Sequence, residues 1–423
     1  MSLHRLSRRQ FLTTSASATV TAPMIISATA LGLGRPSPSN RVTVGFIGVG
    51  FKGLQGCFGS LVQSFMANPV CQAVAVCDIN RNYLDNAKAT IDTFYGNQDC
   101  ATYIDFRELI KRDDIDAVVI ASPDHWHAIQ TVWSCRSGKD VYCEKPLSLT
   151  IGEARAMVDA ARRYGRVVQT GSQSRSYESI RYACQALQDG IIGNIREVHV
   201  SCGGPSVPCN LPAEETPDHI DWDLWLGPAP WRPYHSLLVD KMFRPYRDYS
   251  GGGMTDWGCH HFDIAKWATG LDETGPVEVL PPDGKEVKWL TYRFANGVIM
   301  THESPMSRQG VYFVGEEGNA WGHGMSNRWR IEPRGRWKLP PGPKDPMQGA
   351  KAHSDNFLEC VLSRKKPHAD VEIGARTVSL CHLGNLAYWL NRPLQWDPVA
   401  ERFVNDAVAD RWLNRAYREP WVL

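Results

Sequence analysis

A short apolar run followed at once by three regularly spaced glycines constrains this sequence more than any other feature. Residues 41–47 are β-branched and apolar, as is typical of a buried parallel strand, and they lead directly into Gly48-Val49-Gly50-Phe51-Lys52-Gly53. A helical pattern follows, and then a second apolar strand pattern at residues 73–77. Strand, G-x-G-x-x-G turn, helix and strand in this order predict a βαβ unit.

The glycines and the acid after the second strand have distinct expected roles. Gly48 permits the tight turn, Gly50 lets the backbone approach a pyrophosphate, and Gly53 allows close packing of helix on strand. The N-terminus of the helix then offers free N–H groups to phosphates. Asp78, 25 residues after Gly53, is placed to accept hydrogen bonds from ribose hydroxyls. The unit therefore predicts dinucleotide binding, with Phe51 and Lys52 in the same turn.

Asp78 also bears on which dinucleotide is bound. Its carboxylate would repel a 2′-phosphate, so the sequence favours NAD over NADP. Asn80 and Arg81 follow closely and could soften that choice, which keeps NADP possible. We therefore predict NAD as the cofactor and include Arg81 among its contacts.

Helix and strand patterns continue to alternate as far as residue 170. We predict helices at 106–111, 126–137 and 151–164, and strands at 116–121, 141–143 and 167–170. Repeated βα units imply a doubly wound parallel sheet that binds ligands at the carboxyl ends of its strands.

Two loops at those strand ends carry distinctive residues. The first runs from Ser122 to His127, and the second is Glu144-Lys145-Pro146. A lysine there could contact the nicotinamide and transfer a proton, although an isolated lysine is more often a solvated surface residue. His125 and His127 allow a metal interpretation, but helix capping and cofactor contact are favoured. The predicted cofactor contacts in these loops are Ser122, Pro123, His127, Glu144 and Lys145.

Two longer motifs carry a family resemblance. Residues 138–146 read Gly-Lys-Asp-Val-Tyr-Cys-Glu-Lys-Pro, and residues 251–263 contain D-x-G-x-H-x-x-D after three glycines. Together they resemble the glucose–fructose oxidoreductase/inositol dehydrogenase/MocA (Gfo/Idh/MocA) family, from residue 41 to residue 423. The resemblance implies an N-terminal Rossmann domain and a C-terminal α/β domain with a large, mainly antiparallel sheet. We place the boundaries at 1–40 for a leader, 41–168 for the Rossmann domain and 169–423 for the second domain, whose final helices pack back on the first.

The resemblance also implies three catalytic residues. Lys145 matches the lysine of E-K-P, while Asp256 and His260 match the aspartate and histidine of the second motif. Lysine and histidine are side chains whose pKa values burial and neighbours bring near working pH, which suits removal of a hydroxyl proton during hydride transfer. We expect Lys145 or His260 to be the acid/base and Asp256 to orient or tune the pair. A structural Asp–His hydrogen bond at a helix start is the alternative.

The second domain supplies the candidate substrate residues. Gln173 and Arg175 follow the strand at 167–170 and would project near the nicotinamide, with surface contacts as an equal alternative. The stretch 221–257 is rich in Trp and Tyr, whose faces stack on sugars, although most of them should be core. The candidates for substrate contact are Gln173, Arg175, Trp231, Tyr246 and His260. We predict no metal site, because Cys259, His260, His261 and Asp263 lack a recognised ligand spacing.

The first forty residues are expected to be an export signal. Ser7-Arg8-Arg9-Gln10-Phe11-Leu12 is a twin-arginine pattern before a mildly apolar stretch at 13–33, and no acidic residue precedes Asp78. A disordered basic leader with a chance arginine pair is the alternative. The twelve cysteines include no C-x-x-C pair, so we interpret them as structural thiols of a protein that folds before export to the periplasm.

Charge and motifs together limit the function. The chain has 46 Lys+Arg against 45 Asp+Glu and no run of 18 apolar residues, so we expect neither a nucleic-acid nor a membrane partner. We predict an exported NAD(P)-dependent oxidoreductase that transfers a hydride between a sugar or polyol alcohol and a tightly bound cofactor, in a homo-oligomer formed through the second sheet. One alternative is a glycoside-cleaving enzyme of the same superfamily that recycles its NAD. Another is a silent NAD-binding scaffold.

Overall fold

The first sheet is built from short apolar strands that are buried on both faces. The computed structural model describes residues 36–37, 40–50, 60–239, 242–303, 309–324, 329–332 and 346–423, and it divides the chain into a unit of residues 1–41 and a unit of residues 42–423. The second unit begins with six strands: β1 (Val42–Ile47), β2 (Cys71–Cys77), β3 (Ala101–Tyr103), β4 (Ala117–Ile120), β5 (Asp140–Cys143) and β6 (Val168–Thr170). They pair in parallel in the order β3-β2-β1-β4-β5-β6.

Helices connect these strands and start at residues suited to capping. The connecting helices are α1 (Leu61–Met66), α2 (Arg81–Tyr95), α3 (Phe106–Ile110), α4 (Asp124–Arg136) and α5 (Ile151–Arg163). Asn80 caps α2 by accepting from the Asn82 N–H, and Thr150 and Glu153 form a capping box at α5. The predicted Rossmann sheet is confirmed. Its strand order reverses between β1 and β4, which is where such sheets bind ligands.

The second sheet has nine strands in the described residues. They are β7 (Ile195–Ser201), β8 (Glu278–Leu280), β9 (Leu290–Arg293), β10 (Ile299–His302), β11 (Gly310–Gly315), β12 (Asn319–Gly322), β13 (Arg330–Glu332), β14 (Leu394–Asp397) and β15 (Arg402–Phe403). The order is β13-β12-β11-β7-β10-β9-β8-β14-β15, with β7 and β10 parallel and the other pairs antiparallel. This confirms the predicted, mainly antiparallel second sheet.

The helices of the second domain pack on this sheet, on one another or on the first domain. They are α6 (Glu178–Gln188), α7 (Trp222–Leu226), α8 (Ser236–Val239), α9 (Gly253–Asp256), α10 (Gly258–Ala268), α11 (Pro346–Ser363), α12 (Val371–Leu390) and α13 (Ala407–Asp410). Phe262 of α10 packs edge-on against Tyr292 of β9, with ring centroids 5.5 Å apart. Phe357 of α11 packs against Phe65 and Tyr142 of the first domain.

Two predicted elements of the second domain are shorter in the structure. The strand predicted at 286–294 begins only at Leu290, because the Asp283 side chain accepts the N–H groups of Lys285 and Val287 and holds a turn. In place of a helix at 405–416, α13 is followed by a 3₁₀ turn at Arg411–Leu413. The carboxylate of Asp410, the last residue of α13, accepts the Phe403 N–H of β15.

Several other expectations concern single residues or the leader. None of the cysteines among the described residues forms a disulfide, and all of these cysteines but Cys209 are buried. The twin-arginine pattern lies outside the described residues. None of the described helices has the length and apolar character needed to cross a membrane. Within the described residues, no three His, Cys, Asp or Glu side chains are grouped to hold a metal ion.

Candidate active site

A cavity lies at the carboxyl ends of β1, β2, β4 and β5, where the strand order reverses. It encloses about 1050 Å³, including its open mouth. The first domain contributes Gly48, Gly50, Asp78, Asn80, Tyr83, Phe106, Ser122, Pro123, Asp124, Trp126, His127, Glu144 and Lys145 to its wall, among others. The second domain contributes Leu224, Trp225, Val239, Phe243 and Arg244. Eight of the predicted cofactor contacts therefore meet in one cavity (Gly48, Gly50, Asp78, Ser122, Pro123, His127, Glu144 and Lys145).

Gly48 lets the ends of β1 and β4 approach each other. Its φ is +82°, and a Cβ at this position would lie 2.5 Å from the backbone nitrogen of Ser122. A side chain here would separate the two strand ends between which the cavity opens. Phe51, Lys52 and Gly53, the rest of the predicted binding turn, lie outside the described residues.

Asp78 lies at the end of β2, on the cavity wall. Its carboxylate accepts the N–H of Val49 at 2.8 Å and the N–H of Asn80 at 2.9 Å, which fixes its orientation. Burial raises the pKa of Asp78 to about 6, although the backbone N–H groups of Asn80 and Val49 lower it. The carboxylate is partly exposed to the cavity, so it fits the role of accepting ribose hydroxyls of a dinucleotide.

Arg81, the other predicted cofactor contact near Asp78, bonds to the second domain. Its guanidinium Nη1 donates to the Asp218 carbonyl at 3.0 Å, and its backbone N–H donates to the His219 carbonyl at 2.9 Å. Both partners belong to the second domain. The predicted contact of Arg81 with the cofactor is therefore replaced by a contact between domains.

The two histidines at the start of α4 bond to backbone carbonyls. His127 places Nδ1 2.7 Å from the Pro146 carbonyl and Nε2 2.9 Å from the Ser122 carbonyl. A carbonyl only accepts, so both bonds form together only when both ring nitrogens carry protons. Burial alone would lower the pKa of His127, but Cys143, Asp124 and the Pro146 carbonyl raise it to about 10. His127 is therefore a buried imidazolium that joins the two predicted loops.

His125 is neutral and bonds to the second domain. Its Nε2 lies 3.0 Å from the Trp225 carbonyl, and burial lowers its pKa to about 3. The favoured helix-capping role is not seen, because the described start of α4 has no side-chain cap and both histidines bond to backbone carbonyls; the cofactor contact of His127 stays a prediction.

Lys145 is hydrogen-bonded to the second motif at the cavity wall. Its Nζ donates to Asp256 Oδ1 at 2.6 Å and to the Asp256 carbonyl at 2.8 Å. The Lys145 side chain is only 7% exposed. Arg244 Nε lies 3.3 Å from the same Asp256 oxygen, so this carboxylate sits between two cations. Two of the three predicted catalytic residues are thus in direct contact.

The glycines before Asp256 allow this approach. Gly252 has a φ of +77°, and a Cβ there would lie 2.6 Å from the Ser206 backbone nitrogen. The short helix α9 starts directly afterwards and ends at Asp256. His260 follows in the first turn of α10, where its buried ring packs 5.6 Å from Trp257. His260 is not among the described residues that line the cavity.

Glu144 is a buried residue of the loop that carries Lys145. It is 3% exposed, and the Tyr142 hydroxyl lies 3.4 Å from its Oε1. A Cβ on Gly171 would lie 2.9 Å from the same oxygen, so the chain after β6 packs directly on Glu144. Glu144 therefore fixes the position of the Lys145 backbone as well as lining the cavity.

Arg175, a predicted substrate contact, is instead part of a buried ion cluster. Its guanidinium donates to Asp263 at 2.9 Å and to Asp272 at 2.7 Å, and it stacks on Trp267. Arg175 is 4% exposed, so these carboxylates occupy it fully. The sequence did not indicate this role because both acids are far from Arg175 in the chain: Asp263 lies in α10 and Asp272 in the turn after it.

The other predicted substrate contacts also lie off the described cavity wall. Gln173 lies in a 3₁₀ turn after β6, beside the Tyr142 hydroxyl. Trp231 is 68% exposed on the surface. Tyr246 packs at the edge of an aromatic cluster that contains Trp222 and Trp225.

Asp124 is a wall residue that sequence reasoning missed, whereas Trp225, Phe243 and Arg244 belong to the stretch 221–257, of which a minority is expected to line the pocket. Asp124 is 3% exposed, and its Oδ2 has no hydrogen-bond partner among the described residues. Burial raises the pKa of Asp124, while His127 and Arg244 lower it. A carboxylate directly after Ser122-Pro123 at a strand end was the available signal.

Two family models match most of the chain. The model described as "Oxidoreductase family, NAD-binding Rossmann fold" matches residues 42–172, and the model described as "Oxidoreductase family, C-terminal alpha/beta domain" matches residues 206–423. Both models are those of the Gfo/Idh/MocA family. The first thus covers the glycine turn and Lys145, and the second covers Asp256 and His260.

Curated relatives match over part of their length. A glycosyl hydrolase family 109 protein of Shewanella putrefaciens is 30% identical over 222 residues, 46% of this chain and 45% of the relative. An α-N-acetylgalactosaminidase of Shewanella oneidensis is 33% identical over 208 residues, 44% of this chain and 42% of the relative. The matched part of this chain therefore spans less than half the length of these relatives.

Solved structures share the fold at low identity. The aldose–aldose oxidoreductase of Caulobacter crescentus, complexed with glycerol, has a TM-score of 0.62 at 20% identity and covers 84% of this chain and 99% of its own. A levoglucosan dehydrogenase complexed with NADH and levoglucosan has a TM-score of 0.60 at 19% identity, with the same coverage.

Proposed function

The chain belongs to the Gfo/Idh/MocA oxidoreductase family, and on that premise we propose that it transfers a hydride between a secondary alcohol of a sugar or polyol and NAD. The observation that carries the proposal is the bond of Lys145 Nζ to Asp256 at 2.6 Å. It supports a proton-transfer role for Lys145, which lines the same cavity as Gly48, Gly50 and Asp78. Proton and hydride transfer are thereby brought into one site.

In the proposed reaction, Lys145 transfers the hydroxyl proton and Asp256 positions Lys145. NAD, when bound, would supply the acceptor for the hydride of the alcohol carbon and the hydride donor for the reverse direction. As that C–H bond breaks, the hydroxyl O–H also breaks and the carbonyl forms, so Lys145 in its neutral form takes the proton on Nζ. In the reverse direction its ammonium donates that proton to the carbonyl oxygen. Asp256 holds Nζ in place through two acceptors, its carboxylate and its carbonyl.

The side chains on the cavity wall are suited to bind a neutral, polyhydroxylated substrate. Lys145 and Arg244 offer donors, while Asp124 offers an acceptor without a partner among the described residues. Trp225 and Phe243 add aromatic surface beside them. Sugars and polyols present both hydroxyl groups and C–H faces, so they match this mixture.

The preference for NAD over NADP rests on two neighbouring residues. Asp78 would repel a 2′-phosphate, and the Arg81 guanidinium is bonded to the Asp218 carbonyl. Neutralising a 2′-phosphate would require Arg81 to break that bond and turn around.

A second candidate function is glycoside cleavage with NAD recycled in each cycle. The curated relatives favour it, because their names are those of a glycosyl hydrolase family and of an α-N-acetylgalactosaminidase. Oxidation of a ring alcohol to a ketone acidifies the neighbouring C–H. Loss of that proton then expels the glycosidic group. After water adds to the resulting double bond, return of the hydride reduces the ketone again. Lys145 would again move the hydroxyl proton.

Export by the twin-arginine route and assembly through the second sheet complete the proposal. Export is supported by Ser7-Arg8-Arg9-Gln10-Phe11-Leu12 and the apolar stretch behind it. Free nicotinamide cofactor is scarce outside the cytoplasm, so an exported enzyme of this kind needs a cofactor that is held and recycled in place.

One experiment separates these functions. The protein is purified without added cofactor, part is denatured to quantify released nicotinamide, and the rest is incubated with panels of sugars and glycosides. Stoichiometric NAD that becomes lasting NADH with a sugar supports the oxidoreductase. Glycoside cleavage without net NADH supports the second candidate. Bound NAD with no turnover of either panel contradicts both and leaves a silent scaffold.

A further inference from the structure

A segment of the second domain crosses the mouth of the nucleotide cavity. We call residues 218–227 the strap. At its first end, the Arg81 N–H donates to the His219 carbonyl at 2.9 Å, and the Asp221 N–H donates to the Ile79 carbonyl at 3.0 Å. These bonds attach the strap to the loop directly after Asp78.

The other end of the strap is bonded to the start of α4. The Trp126 indole N–H lies 3.1 Å from the Leu224 carbonyl and 3.0 Å from the Trp225 carbonyl, and His125 Nε2 lies 3.0 Å from the latter. Gly227 packs against the Trp126 ring so closely that a Cβ there would overlap it. The strap is therefore attached on both sides of the cavity.

The sheet order shows what the strap covers. It runs from the end of β2 to the residues after β4, and β1 with its glycine turn lies between these two strands. Leu224 and Trp225 of the strap line the same cavity as Gly48 and Asp78. A nucleotide bound at Asp78 and the glycine turn consequently lies under the strap.

The outer side of the strap is held by a single arginine. Arg418 donates from Nε to the Gly227 carbonyl at 2.9 Å and from Nη2 to the Asp223 carbonyl at 2.8 Å, and its Nη1 pairs with the Asp223 carboxylate. Its backbone N–H donates to the Pro228 carbonyl at 3.1 Å. A cation at the C-terminal end of α7 is also the favourable sign of charge for a helix dipole.

Arg418 belongs to a tail that is fixed to the first domain. We call residues 415–423 the tail. Arg415 pairs with the buried Glu153 at 2.7 Å and donates to the His125 carbonyl at 2.7 Å. Trp421 packs against Trp126 with centroids 4.6 Å apart and stacks on Phe106 at 6.3 Å. The tail is thus a second layer behind the wall that Trp126 forms.

We infer that the tail locks the strap over bound NAD, with Arg418 as the positioning residue, so that NAD leaves only after the tail detaches. This inference rests on the proposed function, because a cofactor recycled in place must outlast many turnovers. The bonds to the strap use all three nitrogens of the guanidinium, Nε and Nη2 on carbonyls and Nη1 on the Asp223 carboxylate, a geometry that lysine's point charge does not reproduce.

The test is the rate of NADH release from the full-length protein. The protein is loaded with NADH and mixed with excess NAD, and the loss of bound-NADH fluorescence is followed. We expect Arg418→Ala to release NADH at least tenfold faster than the parent, with association no slower. Arg418→Lys should give an intermediate rate. Arg411→Ala is the matched control, because Arg411 is exposed in the neighbouring 3₁₀ turn, and its release rate should equal that of the parent.

Two outcomes would overturn the inference. One is a release rate within twofold of the parent in folded Arg418→Ala; the other is slower association without faster release. If Arg418→Ala does not fold, Asp223→Asn replaces it, because the Asp223 side chain is 72% exposed. That variant should release NADH at least threefold faster, and a parent-like rate rejects the lock. Stoichiometric binding with unaltered release leaves the proposed function standing, whereas no NADH binding by the parent rejects that function itself.

Discussion

Lys145 Nζ and Asp256 Oδ1 lie 2.6 Å apart although 111 residues separate them in the chain. Lys145 follows β5 of the parallel sheet, and Asp256 ends α9 of the second domain. The contact therefore forms only when the two domains are docked. Under the proposed function, this docking links proton transfer to cofactor binding, since the same cavity wall carries Lys145 and Asp78.

Replacing Lys145 by methionine should abolish most turnover. Lys145→Met keeps the length of the side chain but removes the proton carrier, so we expect kcat to fall by about a hundredfold or more. Bound NAD should stay stoichiometric, because Asp78 and the glycine turn are unchanged. Lys365→Met, at an exposed position, is the control. Parent-like turnover by Lys145→Met would remove Lys145 from the mechanism.

NAD affinity should depend on pH through Asp78. Burial raises the pKa of Asp78 to about 6, and ribose hydroxyls bond best to the ionised carboxylate. Binding should therefore release a proton, so affinity should rise as pH increases through about 6 and level off above 7. NADH titrations from pH 5 to pH 8 measure this. Asp78→Ala should bind more weakly and lose the dependence; a parent-like profile in that variant contradicts the assignment.

Removing Arg175 should destabilise the fold. Arg175→Ala leaves Asp263 buried without its partner, which typically costs about 3–5 kcal/mol. Urea unfolding of the NAD-free protein measures the loss. Arg181→Ala, exposed on α6, should stay within about 0.5 kcal/mol of the parent. Equal stability of both variants would restore the substrate-contact interpretation of Arg175.

Lys266 interacts with Asp263 and Asp272, the two acids of the Arg175 cluster, and it should make the free energy of unfolding rise with pH. Burial lowers the pKa of Lys266 to about 7, although Asp272 and Asp263 raise it. In the unfolded chain the value is about 10.4, so the unfolded state binds more protons between pH 7 and 10. The free energy of unfolding should then increase with pH across that window, by up to about 1.4 kcal/mol per pH unit from this group. Lys266→Met should flatten this increase relative to the parent.

The parallel sheet was predictable because its strands carry their own signal. β4 is a continuous apolar run, and β1 and β5 are apolar except for Thr43 and Asp140, so the sequence itself indicates buried parallel strands. In contrast, the strands β8, β14 and β15 have only two to four residues, and β14 joins the sheet by pairing with β8 from a distant part of the chain, so no local pattern indicates them. The tail was missed as an ordered element for a similar reason, since its contacts are with distant aromatic rings.

Some residues of the candidate site could also be predicted from the sequence, whereas others could not. Lys145 and Asp256 could be predicted because each lies in a motif. Arg175 could not be assigned correctly, because its partners Asp263 and Asp272 are 88 and 97 residues away. Trp225 and Arg244 lie in the aromatic-rich stretch 221–257, but composition does not indicate which of its residues reach the cavity, because that depends on the path of the chain.

The tail also determines when the nucleotide site is finished during synthesis. The ribosome makes the chain from its N-terminus, so the strands of the Rossmann sheet emerge first. Trp133, however, donates to the carbonyl of Val422, 289 residues later, and Trp421 covers Phe106 and Trp126. A nascent chain therefore carries the sheet well before it carries a closed cavity. Under the proposed lock, we expect stable capture of the cofactor only after residue 421 has been translated.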